Sequence, residues 1–149
     1  MESVMQEIDA EAAARLRRVV VRLARTLNGS AVAEGLSPTQ ASILATIGFR
    51  GPMQPAAIAE AEGVNPTMLS RMLTKLDERG LIRRLPHPGD QRAVLVEATP
   101  AGQQTCDRIR AARTEMVKEL LRELPPHYVR AVLDALPALE AMAGLEQRS

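Results

Sequence analysis

The sequence predicts a mainly α chain of the α+β class, with one two-stranded insert. Three observations predict it. Apolar residues make up 46% of the chain but aromatics only 1%, so Leu, Val, Ala, Ile and Met must fill the core, which suits helices better than a sheet sandwich. Cap-forming residues followed by apolar positions three and four apart mark successive helices. Between residues 81 and 97 that spacing gives way to two short strand-like runs around a Pro/Gly-rich loop. A length of 149 residues fits one domain.

A first helix is expected from about Val4 to Asn28, with Leu16, Val19, Val20, Leu23 and Leu27 at helical spacing and Asn28-Gly29-Ser30 as its cap. Arg15, Arg18, Arg22 and Arg25 follow another side of it; this is a solvated face, or a contact with another subunit or with phosphates. Ser37-Pro38-Thr39-Gln40 opens a second helix as a capping box with Pro at the first position. Ile43, Leu44 and Ile47 form its inner face, Gly48 stops it, and Phe49-Arg50-Gly51-Pro52 is a turn. A short third helix runs from about Pro55 to Glu62 around Ile58. Gly63-Val64 links it to a fourth, capped by Asn65, with Pro66 at its first position.

Leu69, Met72, Leu73 and Leu76 turn that fourth helix inward, and Gly80 closes it. The strands are expected at Leu81–Leu85 and Ala93–Glu97, antiparallel, with both Pro86 and Pro88 left in the loop because proline donates nothing to a ladder. A long helix follows from Thr99-Pro100 to about Leu124. Pro125-Pro126 breaks it, and a last helix covers about His127 to Ala143, kinked or split at Pro137.

The net charge is +1, which excludes a basic tail or an acidic low-complexity chain. With one Tyr, one Phe and no Trp, a platform that stacks single-stranded bases is also excluded. One Cys rules out an internal disulfide and a CxxC zinc site. No apolar run spans a membrane and no signal peptide opens the chain, so a cytoplasmic protein is expected. There is no ligand-like His/Asp/Glu spacing, no phosphate-cradling glycine motif and no catalytic set, so no metal, cofactor or enzyme activity is expected. Cys106 has no activating partner and reads as a small core residue.

Residues 55–97 read as helix, turn, helix, strand, loop, strand: a helix-turn-helix with a wing. Its second helix has the dimensions to enter a major groove. Six Lys or Arg against three Asp or Glu lie between Val64 and Val96, a local excess of +3, which suits phosphates. Thr67, Met68, Ser70, Arg71, Thr74 and Lys75 cover the outer surface. The helix N-terminus grips a phosphate near Pro66 and Thr67. Arg71 reads a guanine edge or clamps a phosphate, Met68 meets a thymine methyl, and Lys75 contacts phosphate. Arg83 and Arg84 point to opposite faces of their strand, so at least one reaches the DNA backbone. Arg92 enters a minor groove, and Asp90 positions Arg92 or Arg71 through a salt bridge, or Asp90 and Arg92 form a local turn-stabilising pair. His87 contacts phosphate or is idle.

Leu36-Ser37-Pro38-Thr39-Gln40, Ile58-Ala59-Glu60, Val64-Asn65-Pro66-Thr67, Arg71 to Leu76, Glu78 to Arg84, Asp90 to Val96 and Thr99-Pro100-Ala101-Gly102 together resemble the MarR family of winged helix-turn-helix transcription regulators. The resemblance is close over residues 36–104. It implies a homodimer on pseudopalindromic double-stranded DNA, repression relieved by a small aromatic or lipophilic anion, Pro66, Thr67, Ser70, Arg71 and Lys75 toward the major groove, and Arg92 in the minor groove. It divides the single domain into a lobe at 36–98 and a helical dimerisation platform at 1–35 and 99–149. Val4, Ile8 and the apolar run from Leu120 to Leu136 support that platform independently, because they exceed what one chain hides. The effector crevice would lie between platform and lobe, with Arg15, Arg18 and Arg22 attracting an anion and Phe49 one of the few rings at hand. The alternative is a winged-helix protein-interaction module without DNA binding; cations on both helix and wing argue against it.

Overall fold

The computed structural model describes residues 8–145. Val4 lies outside them. The order is α1 (Ala10–Ala33), α2 (Pro38–Arg50), α3 (Pro55–Glu62), α4 (Pro66–Glu78), β1 (Ile82–His87), β2 (Asp90–Ala98), α5 (Pro100–Arg122) and α6 (Pro126–Met142). Two compact units emerge, Met1–Ala112 and Arg113–Ser149.

The first unit holds the core. Ile43, Leu44 and Ile47 of α2, Ile58 of α3, Leu69 and Leu76 of α4, and Ile82 and Val96 of the sheet are fully buried together. Each such side chain contributes roughly 1.5–3 kcal/mol by leaving water. The α2 cap is the predicted box: Ser37 Oγ accepts from the Gln40 N–H at 3.1 Å, and Gln40 Oε1 accepts from the Ser37 N–H at 2.9 Å. Glu62, closing α3, accepts from Ser42 Oγ at 2.8 Å and from Thr46 Oγ1, which ties α3 to α2. Gly63 turns the chain into α4 in the left-handed conformation, at φ 65°. Between α2 and α3, Met53 exchanges two backbone bonds with Val96 and so docks the base of the wing on the core.

Four local expectations are corrected. α1 does not end at Asn28: it runs through Gly29 to Ala33, because Ser30 and Ala31 are buried and the left-handed residue is Gly35, at φ 76°. α2 likewise passes Gly48, where Gln103 Nε2 donates to the Gly48 carbonyl, and ends at Gly51, at φ 80°. Phe49 and Arg50 are therefore helical. Pro86 lies inside β1, opposite Val94. Val96 turns its backbone groups outward to Met53, so its partner Arg84 and, two residues on, Pro86 face the open edge of β1, and a missing N–H there costs no ladder bond. Only Pro88 and Gly89 remain between the strands.

α5 begins at an unusually tight approach. The Thr99 N–H donates to the Leu81 carbonyl at 3.0 Å and Thr99 Oγ1 to the Gly80 carbonyl at 2.6 Å. A Cβ on Gly102 would stand 2.0 Å from the Leu81 carbonyl oxygen. The Thr-Pro-Ala-Gly start thus docks α5 on the turn that leads into β1. In the second unit, α6 is one uninterrupted helix, with Pro137 inside it; of the expected kink or split, the split does not occur. α6 buries no residue within this chain. Tyr128, Val132, Leu133, Leu136 and Leu139 stay exposed.

Candidate nucleic-acid interface

Asn65 builds the start of α4 by accepting from the Met68 N–H at 2.8 Å through its side chain. Pro66 has no N–H, and the Thr67 N–H has no acceptor among the described residues. The inner stripe of α4 is as expected: Leu69, Leu73 and Leu76 are buried and Met72 is half-buried against the core. The outer stripe consists of Pro66, Thr67, Met68, Ser70, Arg71, Thr74 and Lys75, all exposed. Asn65, Thr67, Met68, Arg71, Met72 and Lys75 line a shallow groove of about 460 Å³. Thr74 Oγ1 donates back to the Ser70 carbonyl at 2.9 Å, which leaves only its lone pairs facing outward. The side chains of Arg71 and Lys75 take part in none of the hydrogen bonds or ion pairs seen among the described residues, so both cations stand uncompensated.

The wing divides its arginines. Arg83 forms an ion pair with Glu97, its cross-strand partner. Arg84, on the opposite face, lines a cavity of about 340 Å³ with Ser70 and Val94, over a floor of Ala56, Ala59, Leu69 and Leu73. Asp90 takes the turn-stabilising alternative and not the salt bridge. It does not bridge to a guanidinium; its Oδ1 accepts the backbone N–H of Arg92 at 2.9 Å. The carboxylate therefore shapes the turn and leaves the Arg92 side chain uncommitted. His87 does the same from the other strand, its Nδ1 accepting from the Gly89 N–H at 3.0 Å.

On α1, Arg18 and Arg22 share a groove of about 430 Å³ with Arg17, Val21, Arg25 and Thr26. Neither Arg15 nor Phe49 lines it, and Phe49 is 87% exposed. Of the anticipated effector residues, this groove brings Arg18 and Arg22 together. Cys106 is buried, and burial pushes its thiol pKa up, away from the reactive thiolate. Among the described residues no cluster of potential metal ligands forms and no helix is long and apolar enough to cross a membrane.

Three residues missed by sequence reasoning frame the site. Arg79, just past α4, donates to the Gly35 and Glu34 carbonyls at 2.9 and 2.8 Å. Arg108 of α5 grips the Glu34 carboxylate with two bonds, at 2.9 and 3.1 Å. These partners lie 44 to 74 residues apart in the chain, beyond any local spacing rule.

A buried helix-turn-helix, an exposed basic helix face and a two-stranded wing define a winged-helix regulator. Residues 36–94 match the MarR family model. The chain is 36% identical over 120 residues to the uncharacterized helix-turn-helix-type transcriptional regulator Mb0904 of Mycobacterium bovis, covering 80% of this chain and 84% of that one. It is 36% identical over 84 residues to the multiple antibiotic resistance protein MarR of Salmonella typhimurium, covering 56% and 58%. The solved structure of the multiple antibiotic resistance repressor MarR superposes with a TM-score of 0.74 at 25% identity, over 91% of this chain and 99% of that one. The chain belongs to the MarR family and is a transcriptional regulator.

Proposed function

We propose that the protein is a homodimeric repressor that reads a pseudopalindromic duplex. The uncompensated pair Arg71 and Lys75 on the exposed face of α4 carries this reading. Arg71 takes a guanine edge or an adjacent phosphate, Met68 a thymine methyl, and Lys75 a phosphate. Thr67 offers its free N–H and hydroxyl to the backbone, while Ser70 and Thr74 present hydroxyl oxygens. Arg92, freed by Asp90's bond to the main chain, enters the minor groove. Arg83, already paired with Glu97, contributes less than Arg84. The lobe is 36–98, and 1–35 with 99–149 form the dimerisation platform. The exposed apolar faces of α1 and α6 support pairing, since a lone chain would leave them in water. A DNA-binding regulator of this kind works in the cytoplasm.

Relief by a small ligand has a candidate site. The apolar cavity between α3, α4 and the wing, with Ser70 and Arg84 at its polar side, suits a small aromatic or lipophilic carboxylate. Occupancy there would compete with the DNA-facing roles of the same two residues. The Arg18 and Arg22 groove on α1 is the second candidate, with more charge and less apolar lining.

Selection of bound genomic fragments, then footprinting over a salt series, tests the reading. We expect two protected half-sites centred one helical turn apart, about 10–10.5 bp. Replacing Arg71 changes base discrimination, whereas replacing Lys75 weakens all sequences alike and makes the salt dependence shallower by about one phosphate. Failure to bind any duplex at low salt would contradict the proposal and favour a protein-interaction role. Titration with salicylate-like carboxylates tests the effector: unchanged affinity and thermal stability would remove that class.

A further inference from the structure

We infer that Arg79, Glu34 and Arg108 form a positioning node that sets the pose of the recognition helix from its far end, an inference that rests on the DNA-reading role proposed for α4. Arg79 is the C-cap of α4. It stands eight residues beyond Arg71, roughly 12 Å along the axis at 1.5 Å per residue. Its guanidinium spends two N–H groups on main-chain carbonyls of Glu34 and Gly35, where α1 turns toward α2. That corner is shaped to receive it. Gly35 is left-handed, and a Cβ there would meet the Arg79 Nη1 at 3.3 Å.

The same corner is held a second time. Glu34's carboxylate is chelated by Arg108 of α5, and Arg108 Nη2 also donates to Thr105 Oγ1 of the buried α5 face at 3.1 Å. One residue, Glu34, therefore presents its carbonyl to the recognition helix and its carboxylate to α5. Both bonds are charge-assisted, the stronger kind of hydrogen bond. α4 is packed along its length through Leu69, Leu73 and Leu76, and the node adds a polar restraint at its C-terminal end. A small tilt at Arg79 displaces Thr67 and Met68 at the other end. The node thus transmits the relative placement of α1 and α5 to the DNA-reading surface without touching DNA.

The test compares the intact dimer with Arg79→Met, Arg79→Lys and Arg108→Gln on a selected operator, measuring affinity over a salt series and thermal stability in parallel. Arg79→Met should bind roughly tenfold more weakly, from loss of charge-assisted bonds, with the slope of log affinity against log salt unchanged, since no phosphate contact is removed. Arg79→Lys should stay several-fold weak, because an ammonium lacks the planar fork for two carbonyls. Arg108→Gln should also weaken binding, and the Arg79→Met/Arg108→Gln double variant should lose less than the product of the two. If Arg79→Met does not fold, Arg79→Lys and Arg108→Gln carry the same readout. A slope shallower by about one would mean a direct phosphate contact and overturn the inference. So would a lowered melting temperature with unchanged affinity per folded dimer. If the unsubstituted protein binds no duplex, the proposed function itself fails; if it binds and the variants match it, only the node fails.

Discussion

The lobe around α2, α3 and α4 and the segment beyond Arg113 spend similar apolar residues in opposite ways. In the lobe, Ile43, Leu44, Ile47 and Ile58 have no exposed surface. In α6, Val132, Leu133, Leu136 and Leu139 are 38–49% exposed and nothing is buried. The first region completes its own core. The second has an apolar stripe that one chain does not cover, and such stripes mark association surfaces. Stability in the lobe should therefore be a property of the chain, and stability of the terminal helices a property of its concentration.

Substitutions can break that contrast. The largest effect is expected for Gly102→Val. Its Cβ would stand 2.0 Å from a backbone oxygen, so α5 must lift from the lobe; a loss above about 4 kcal/mol in denaturant unfolding is expected. Leu44→Ala should cost about 2–5 kcal/mol at every protein concentration, because the side chain is wholly enclosed in the lobe. Leu133→Glu should leave the lobe's packing intact yet weaken self-association, seen as a concentration-dependent shift in sedimentation. An equal, concentration-independent loss from Leu44→Ala and Leu133→Glu would erase the distinction between the regions.

Smaller effects sharpen it. Ser37→Ala removes an N-cap acceptor from α2 and should cost about 1 kcal/mol. Glu34 gives the pH dependence. Its hydrogen bonds with Arg108 hold its carboxyl below the ordinary value of 4.5. The folded form thus favours the ionised carboxylate, so the contribution is complete above that value and fades as pH falls through it. Glu34→Gln should flatten the acid side of a melting-temperature profile and change little near neutrality. An unchanged acid limb would mean the bridge contributes nothing to stability.

Much of this was legible in the sequence because caps and inner stripes are local. Ser37 with Gln40, Asn65 with Pro66, and Leu69, Leu73 and Leu76 all behave as their spacing demands. Glycine misled where tertiary packing decided. Gly29 and Gly48 look like stops, but buried neighbours carry the helices past them to Gly35 and Gly51. The rule that keeps proline out of a ladder holds for inner strands, and the ribbon that contains Pro86 has none. For Asp90 the sequence leaves a salt bridge and a local turn pair with Arg92 open, and the main-chain N–H two residues on decides for the turn. Arg79, Glu34 and Arg108 had no local signature, since only the folded chain brings them together.

In the proposed complex, α4 and the wing of a paired molecule face one duplex. Cys106 is buried with its thiol pKa raised, so Gln91→Cys, exposed beside Arg92, can carry a tethered DNA-cleaving reagent selectively. On operator DNA two symmetric minor-groove cuts are expected, flanking the half-sites protected by α4. Cuts scattered along the duplex, or none while the protein remains bound, would contradict this arrangement.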